Sequence, residues 1–282
     1  MKFGLWTANG ALNSKPVFEA FSKGVQKLGH KVIENKSADI DVIWSILWNG
    51  RMMKNKPIYL NAISNKKPLI ILEVGGLFRG HTWKMGLNGI NYGAYFGPTN
   101  NDSKRVNALG LRLQPYQTNH DKPILIACQH KMSGQWPSLE YANSWLYDTI
   151  NELRKYTDKQ IIVRPHPRST INRFFTHHQY KNIISQRPIK RPGTYDDYNL
   201  IYKNLYTVVN YSSNPGVQSI INGIPCITSD KSLAFPVSNK INEINDLKQY
   251  DRQKWLNDIA YTEWTESEIA TGEPIKRLTF NL

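Results

Sequence analysis

The stretch Val208-Val-Asn-Tyr-Ser-Ser-Asn-Pro-Gly-Val-Gln-Ser-Ile-Ile-Asn-Gly-Ile-Pro-Cys-Ile-Thr228 constrains this chain more than any other part of it. A short apolar run gives way to Ser-Ser-Asn-Pro-Gly, a segment of helical length follows, and Gly223-Ile-Pro-Cys-Ile-Thr228 restarts an extended run. Apolar strands of this length that alternate with helices lie parallel in a sheet covered on both faces, because a crossover helix returns each strand beside an earlier one. The turn before the helix combines two hydroxyls with N–H groups that have no partner in the first helical turn. Those groups, and the positive end of the helix dipole, make the turn a seat for an anion, with a diphosphate as the expected ligand.

The same alternation runs along the chain. Lys2-Phe-Gly-Leu-Trp6 reads as a strand, Val17, Phe18, Phe21, Val25 and Leu28 mark a helix, and Lys31-Val-Ile33 resumes a strand. Asp41-Val-Ile-Trp-Ser-Ile-Leu47 and Pro68-Leu-Ile-Ile-Leu-Glu73 are further buried-strand runs. Residues 100–122 lose the pattern and read as a connection. A second series follows: Pro123-Ile-Leu-Ile-Ala-Cys128, a helix over 138–156, Gln160-Ile-Ile-Val163, Leu205-Tyr-Thr-Val-Val-Asn210 and Ile224-Pro-Cys-Ile-Thr228. The expected fold class is α/β, with two Rossmann-like doubly wound domains over residues 1–115 and 116–265 and a C-terminal helical segment over 266–282. Trp255, Tyr261 and Trp264 are expected to pack on a helix near that end. Ligands of such sheets bind beyond the carboxyl ends of the strands.

Lys and Arg number 36 against 22 Asp and Glu, a net charge of +14, which points to a polyanionic partner: nucleic acid, an acidic glycan or a membrane surface. No run approaches the ~18 apolar residues of a membrane span. The first residues read as a strand and not as a signal peptide, so a cytoplasmic location is expected. No basic amphipathic helix stands out, which leaves a membrane-surface role without a segment to carry it. Cys128 and Cys226 lie in apolar strands and read as buried, reduced thiols.

Three loops at strand carboxyl ends carry candidate chemistry. Gln129-His-Lys-Met-Ser-Gly-Gln-Trp136 offers Lys131 as a point charge, with Ser133 and Gly134 as a close backbone approach to phosphate. Arg164-Pro-His-Pro-Arg168 holds His166 between Arg164 and Arg168 in a loop stiffened by two prolines, at little ordering cost when an anion binds. His166 reads as a donor to phosphate or sugar and not as a general base. The turn itself supplies Ser212, Ser213, Asn214 and Gly216, with Gln218 one turn into the helix. No Asp-x-Asp triplet stands in a strand-end loop, and Asp196-Asp197 reads as a turn, so no visible motif calls for a divalent metal.

Arg-Pro-His-Pro followed by Tyr-Ser-Ser-Asn-Pro-Gly-Val-Gln-Ser and Asn-Gly-Ile-Pro-Cys-Ile resembles the C-terminal domain of glycosyltransferases of the GT-B architecture, most nearly the capsule-polysaccharide type. The resemblance covers about residues 123–265. It implies two Rossmann-like domains facing each other across a cleft, a nucleotide-sugar donor, expected as a UDP-sugar, in the second domain, and the acceptor in the first. Gln218 stands near the place where many such enzymes carry Glu, so ribose binding is kept and the identity of the sugar is left open.

Under that resemblance the acceptor loop is the glycine-rich stretch 73–92, with Gly75, Gly76, Arg79, Trp83 and Lys84 as acceptor contacts. Glu73 and His81 are the candidate general bases, with Asp39 and Asp41 behind them. Charge and resemblance together imply transfer of a hexosyl or pentosyl group to DNA carrying a hydroxymethylated pyrimidine, as bacteriophage DNA-modifying enzymes of this architecture do. Capsule or cell-surface polysaccharide is the alternative acceptor. A nucleic-acid-binding α/β protein without catalysis is a third reading.

Overall fold

The computed structural model describes residues 1–117, 119–169, 181–193 and 198–280. The Asp196-Asp197 pair lies outside them. In chain order the first half comprises β1 (Lys2–Leu5), α1 (Lys15–Lys27), β2 (Lys31–Glu34), β3 (Ile40–Trp44), α2 (Asn55–Ser64), β4 (Leu69–Val74), β5 (Trp83–Leu87) and α3 (Lys104–Ala108). The second half comprises β6 (Ile124–Ala127), α4 (Leu139–Arg154), β7 (Ile161–Arg164), β8 (Ile183–Ser185), β9 (Thr207–Asn210), α5 (Asn214–Ile221) and β10 (Cys226–Thr228). The chain ends with α6 (Gln253–Ile259), β11 (Glu263–Trp264), α7 (Glu266–Thr271) and α8 (Glu273–Thr279).

Two compact units result, one of Met1–Arg105 with Asn257–Leu282 and one of Val106–Leu256. The first holds a six-stranded sheet in the order β11-β5-β4-β3-β1-β2. Strands β1 to β4 pair in parallel, and β5 and β11 are added antiparallel to their neighbours. Phe3, Leu5, Val42, Trp44, Ile70 and Leu72 form one core against α1, while Ile43, Ile46, Leu69 and Ile71 pack the other face against Ala62 of α2. Burial on both faces explains why these strands read as continuous apolar runs and not as alternating ones.

The second unit holds the five-stranded sheet β10-β9-β6-β7-β8, parallel throughout. Its core joins Ile124, Ile126, Val163 and Val209 to Trp145, Leu146, Ile150 and Leu153 of α4. Ser138 caps α4 by accepting from Tyr141 N at 3.1 Å. Burial pushes the thiols of Cys128 and Cys226 up to about 12, so neither is a nucleophile near neutrality.

Two sequence expectations change. Residues 73–92 are not one loop, because Trp83–Leu87 pairs with β4 as an antiparallel strand. Its Trp and Met side chains are buried although Lys84 and Gly86 break the apolar run that marks the other strands. The chain's end is likewise not a lone helix: β11 forms the sheet edge, and Trp264, Ile269, Ile275 and Leu278 complete the first unit's core. Arg105 fastens this return. Its guanidinium donates to Ala260 O and Glu263 O, each at 2.6 Å, pairs with Glu268, and lies 3.9 Å from the Trp264 ring centroid. The contact of α7 with α1 needs Gly24, where a Cβ would stand 2.4 Å from Ile269 O.

Candidate functional site

In the second unit β6, β7 and β9 are neighbours running the same way, so the loops after Ala127, Arg164 and Asn210 leave the sheet at one edge. Side chains tie the loops to one another. The Ser212 hydroxyl, in the loop after β9, lies 2.9 Å from Gln129 Oε1 and also within hydrogen-bond reach of Gln135 Oε1, both in the loop after β6. The rings of His130 and His166 meet edge to face at 5.1 Å between centroids, and Lys131 N donates to Ser169 Oγ at 3.4 Å. The loop after β6 is thus fixed to both of its neighbours.

Both histidines are oriented by backbone. His166 Nδ1 accepts from Arg168 N, and His130 Nδ1 accepts from Met132 N, each at 3.1 Å, which in the neutral rings puts the proton on Nε2. Burial, and then the charges of Arg168 and Lys131, hold His130 below its ordinary value. The cations that act on His130 are the ones that would act on an anion in the same place. Lys131 and Arg168 are exposed and His166 is half-buried.

The turn is built from below by Asn210, whose Nδ2 donates to Ser213 O at 2.6 Å and to Ser213 Oγ at 2.9 Å. Ser213 is the N-cap residue of α5, extended at φ −82° and ψ 165°, and Pro215 stands in the first turn of the helix. Gly216 packs against Asn210 so closely that a Cβ would stand 2.7 Å from Asn210 Oδ1. Behind the turn Tyr211 stacks on Trp136 at 4.3 Å between centroids. Ser133 lies in the same loop, its Oγ accepting from Gln135 N, with Gly134 beside it; Asn214 and Gln218 are half-buried on α5.

Arg164 is placed differently from the sequence expectation. Its guanidinium donates to Gln186 Oε1 at 3.2 Å and to Asn199 O, and burial lowers its pKa. These contacts make it a strut between β7 and the segment that precedes β9.

In the first unit Glu73 stands at the carboxyl end of β4 beside Ser45, which follows β3. Ser45 Oγ donates to Glu73 Oε2, Val74 N donates to Glu73 Oε1 at 2.9 Å, and Leu47 N donates to Ser45 Oγ at 3.0 Å. Register sets Glu73, Lys84 and Glu263 side by side on β4, β5 and β11, so Lys84 lies between two carboxylates. Glu263 is buried and accepts from Gly76 N at 2.7 Å, Leu77 N at 2.9 Å and Thr82 Oγ1 at 2.8 Å, with Lys84 Nζ at 3.9 Å.

Several expected acceptor contacts are therefore built into the fold. Trp83 is buried against Trp44, Lys84 is buried beside Glu263, and Gly75 N donates to Thr82 O at 3.0 Å. Arg79 is half-buried and His81 exposed on the turn that Glu263 holds. Asp39 accepts from Lys2 N, and Asp41 is paired with Lys67 at 2.7 Å. Both stand at the amino end of β3, opposite the end that carries Glu73.

Sequence reading missed Ser45, Glu263, Gln129, His130, Gln135 and Asn210. Gln129, His130 and Gln135 are neutral neighbours of Lys131 in its loop and carry no motif of their own, while Glu263 is brought to Gly76 by chain return alone.

No protein-family model matches the chain, and no curated protein matches it. Two solved structures from Thermosulfurimonas dismutans resemble it. One, KpsC, beta Kdo 2,4 transferase, is 13% identical over 92% of this chain and 90% of that one, with a TM-score of 0.52. The other, KpsC, beta Kdo 2,7 transferase, is 10% identical over the full length of both chains, with a TM-score of 0.51. The fold class is that of these structures: α/β, with two Rossmann-like, parallel-rich sheets, the GT-B architecture.

Proposed function

We propose that the chain is a glycosyltransferase that takes a sugar from a nucleotide-sugar donor and attaches it to a hydroxyl of a saccharide. The observation that carries this reading is the tie of the three strand-end loops in the second unit, through Ser212 with Gln129 and Gln135 and through His130 with His166. Donors and cations gathered there suit the phosphate of a leaving nucleotide, whose charge grows as the bond to the anomeric carbon breaks. Lys131, Arg168, the Nε2–H of His166 and the start of α5 receive that charge. Glu73 takes the proton of the acceptor hydroxyl as its oxygen bonds to the anomeric carbon. The structures that the chain resembles are named Kdo transferases, and Kdo is a sugar, which supports glycosyl transfer as the reaction and favours the capsule-polysaccharide reading of the acceptor.

A second reading keeps DNA with a hydroxymethylated pyrimidine as acceptor, favoured by the net charge of +14. Nucleotide release measured over a panel of nucleotide sugars, with acidic saccharides and hydroxymethylated DNA as separate acceptors, tests both. Saccharide-stimulated release supports the first reading and release stimulated only by modified DNA the second. A chain that binds no nucleotide and releases none under any condition removes both. Competition by uridine and cytidine nucleotides identifies the base. Arg168→Ala and His166→Ala are expected to weaken nucleotide binding roughly tenfold each, the scale of a lost hydrogen bond to a charged group.

A further inference from the structure

Helix α2 carries apolar side chains beyond the face it buries. Ala62, with Ile58 and Tyr59, packs onto Ile43, Leu69 and Ile71 of the sheet and onto Ile46 just beyond β3, and Tyr59 meets Trp48 at 5.5 Å between ring centroids. Beyond that face Leu60 and Ile63, one helical turn apart, are 51% and 49% exposed, and Met53 in the 3-10 turn that leads into the helix is 45% exposed. Pro57 is exposed with them. Aliphatic side chains held in water beyond a helix's buried face, here with Lys56, Asn61 and Ser64 exposed beside them, form a surface for a partner. Apolar groups beyond the buried face are also why no amphipathic contrast shows in the sequence.

Charge says what covers it. Residues 42–72 contain Arg51, Lys54, Lys56, Lys66 and Lys67 and not one Asp or Glu. Lys67 is engaged by Asp41, and the other four are exposed around the aliphatic stripe. An aliphatic stripe set among cations fits a surface that is hydrocarbon just beneath a layer of negative charge. A nucleic acid or acidic glycan would answer the cations but leave Met53, Leu60 and Ile63 in water. We propose that α2, with the turn before it, docks the chain on the surface of an anionic lipid bilayer, with Leu60 and Ile63 entering the headgroup layer. The proposal is independent of the donor-site reading.

Flotation of the full chain tests it, with vesicles of phosphatidylcholine alone and of phosphatidylcholine mixed with phosphatidylglycerol. The expected result is flotation with the mixed vesicles only, weakened by salt. Leu60→Glu with Ile63→Glu, and separately Lys54→Ala with Lys56→Ala and Lys66→Ala, should each reduce binding by at least about tenfold. All five positions are exposed, so an unchanged melting temperature is the control for fold. Absence of flotation, equal binding to neutral vesicles, or full binding by the Leu60/Ile63 variant overturns the proposal. So does duplex DNA retardation lost in the lysine variant without vesicle binding, or a dimer in lipid-free sedimentation that the Leu60/Ile63 variant dissolves.

Discussion

Ser45 donates its hydroxyl proton to Oε2 of Glu73 from a backbone held at φ +62°, in the left-handed region that non-glycine residues seldom adopt. Leu47 N donates back to the same hydroxyl, so the oxygen cannot swing away from the carboxylate. If Glu73 takes the acceptor's proton, Ser45 is its positioning residue. Ser45→Ala should lower kcat several-fold, leave nucleotide binding to the second unit unchanged, and cost about 1.5–3 kcal/mol in urea unfolding for a lost hydrogen bond to a charged group. Ser45→Gly removes the same hydroxyl but relieves the backbone, so it should be the more stable of the two by about 1 kcal/mol at equal kcat. Full turnover by either variant would show that the hydroxyl does not position the carboxylate.

Gly216 and Asn210 set the turn after β9 jointly. An Ala at 216 would press its Cβ onto Asn210 Oδ1 and, at 3.1 Å, onto Thr228 Cγ2. Asn210 cannot retreat without releasing Ser213. Gly216→Ala is expected to destabilise the second unit by about 1–3 kcal/mol and to weaken nucleotide binding, measured by calorimetry on the folded variant. Unchanged affinity would separate the turn from the nucleotide.

His130 gives the second unit an acid sensitivity of known sign. Its folded pKa lies below the ordinary 6.5, through burial first and then Arg168 and Lys131. The unfolded chain therefore takes up this proton first as pH falls. The stability linked to His130 is complete above 6.5 and is lost as pH drops through the folded value. A bound phosphate opposes the two cations, so nucleotide should move the His130 imidazole titration upward, followed by NMR. Arg168→Ala should move it upward without nucleotide. A titration that nucleotide leaves in place would put the phosphate elsewhere.

How much of this could be read from sequence depends on the range over which each feature is encoded. The strands β1, β3, β4, β6 and β9 announce themselves because both faces are buried and each run is continuous. The turn after β9 announces itself because Ser, Asn, Pro and Gly are needed locally to start α5. Strand β5 is hidden by Lys84, which is buried only because Glu263 arrives from the far end of the chain. Arg164 reads in sequence as an anion ligand, and the partners it has in the fold, Gln186 Oε1 and a backbone carbonyl at Asn199, carry no charge and no motif. Cations within a loop are visible in sequence; whether the fold has already engaged them is not.

Glu263 shows the same point in energetic form. One carboxylate accepts from two backbone N–H groups and the Thr82 hydroxyl and stands beside a buried ammonium. Glu263→Ala leaves Lys84 buried between strands with half of its countercharge gone, which should cost about 3–5 kcal/mol. Lys84→Met alone should cost less, because the carboxylate keeps its three hydrogen bonds. In the double variant Glu263→Ala with Lys84→Met no ammonium is left stranded, so its stability should exceed that of Glu263→Ala alone, a coupling that a double-mutant cycle in urea reads directly. Additive losses would mean that Lys84 draws its countercharge from Glu73, its neighbour on the other side, and that the row of three charges is anchored from β4 instead of β11.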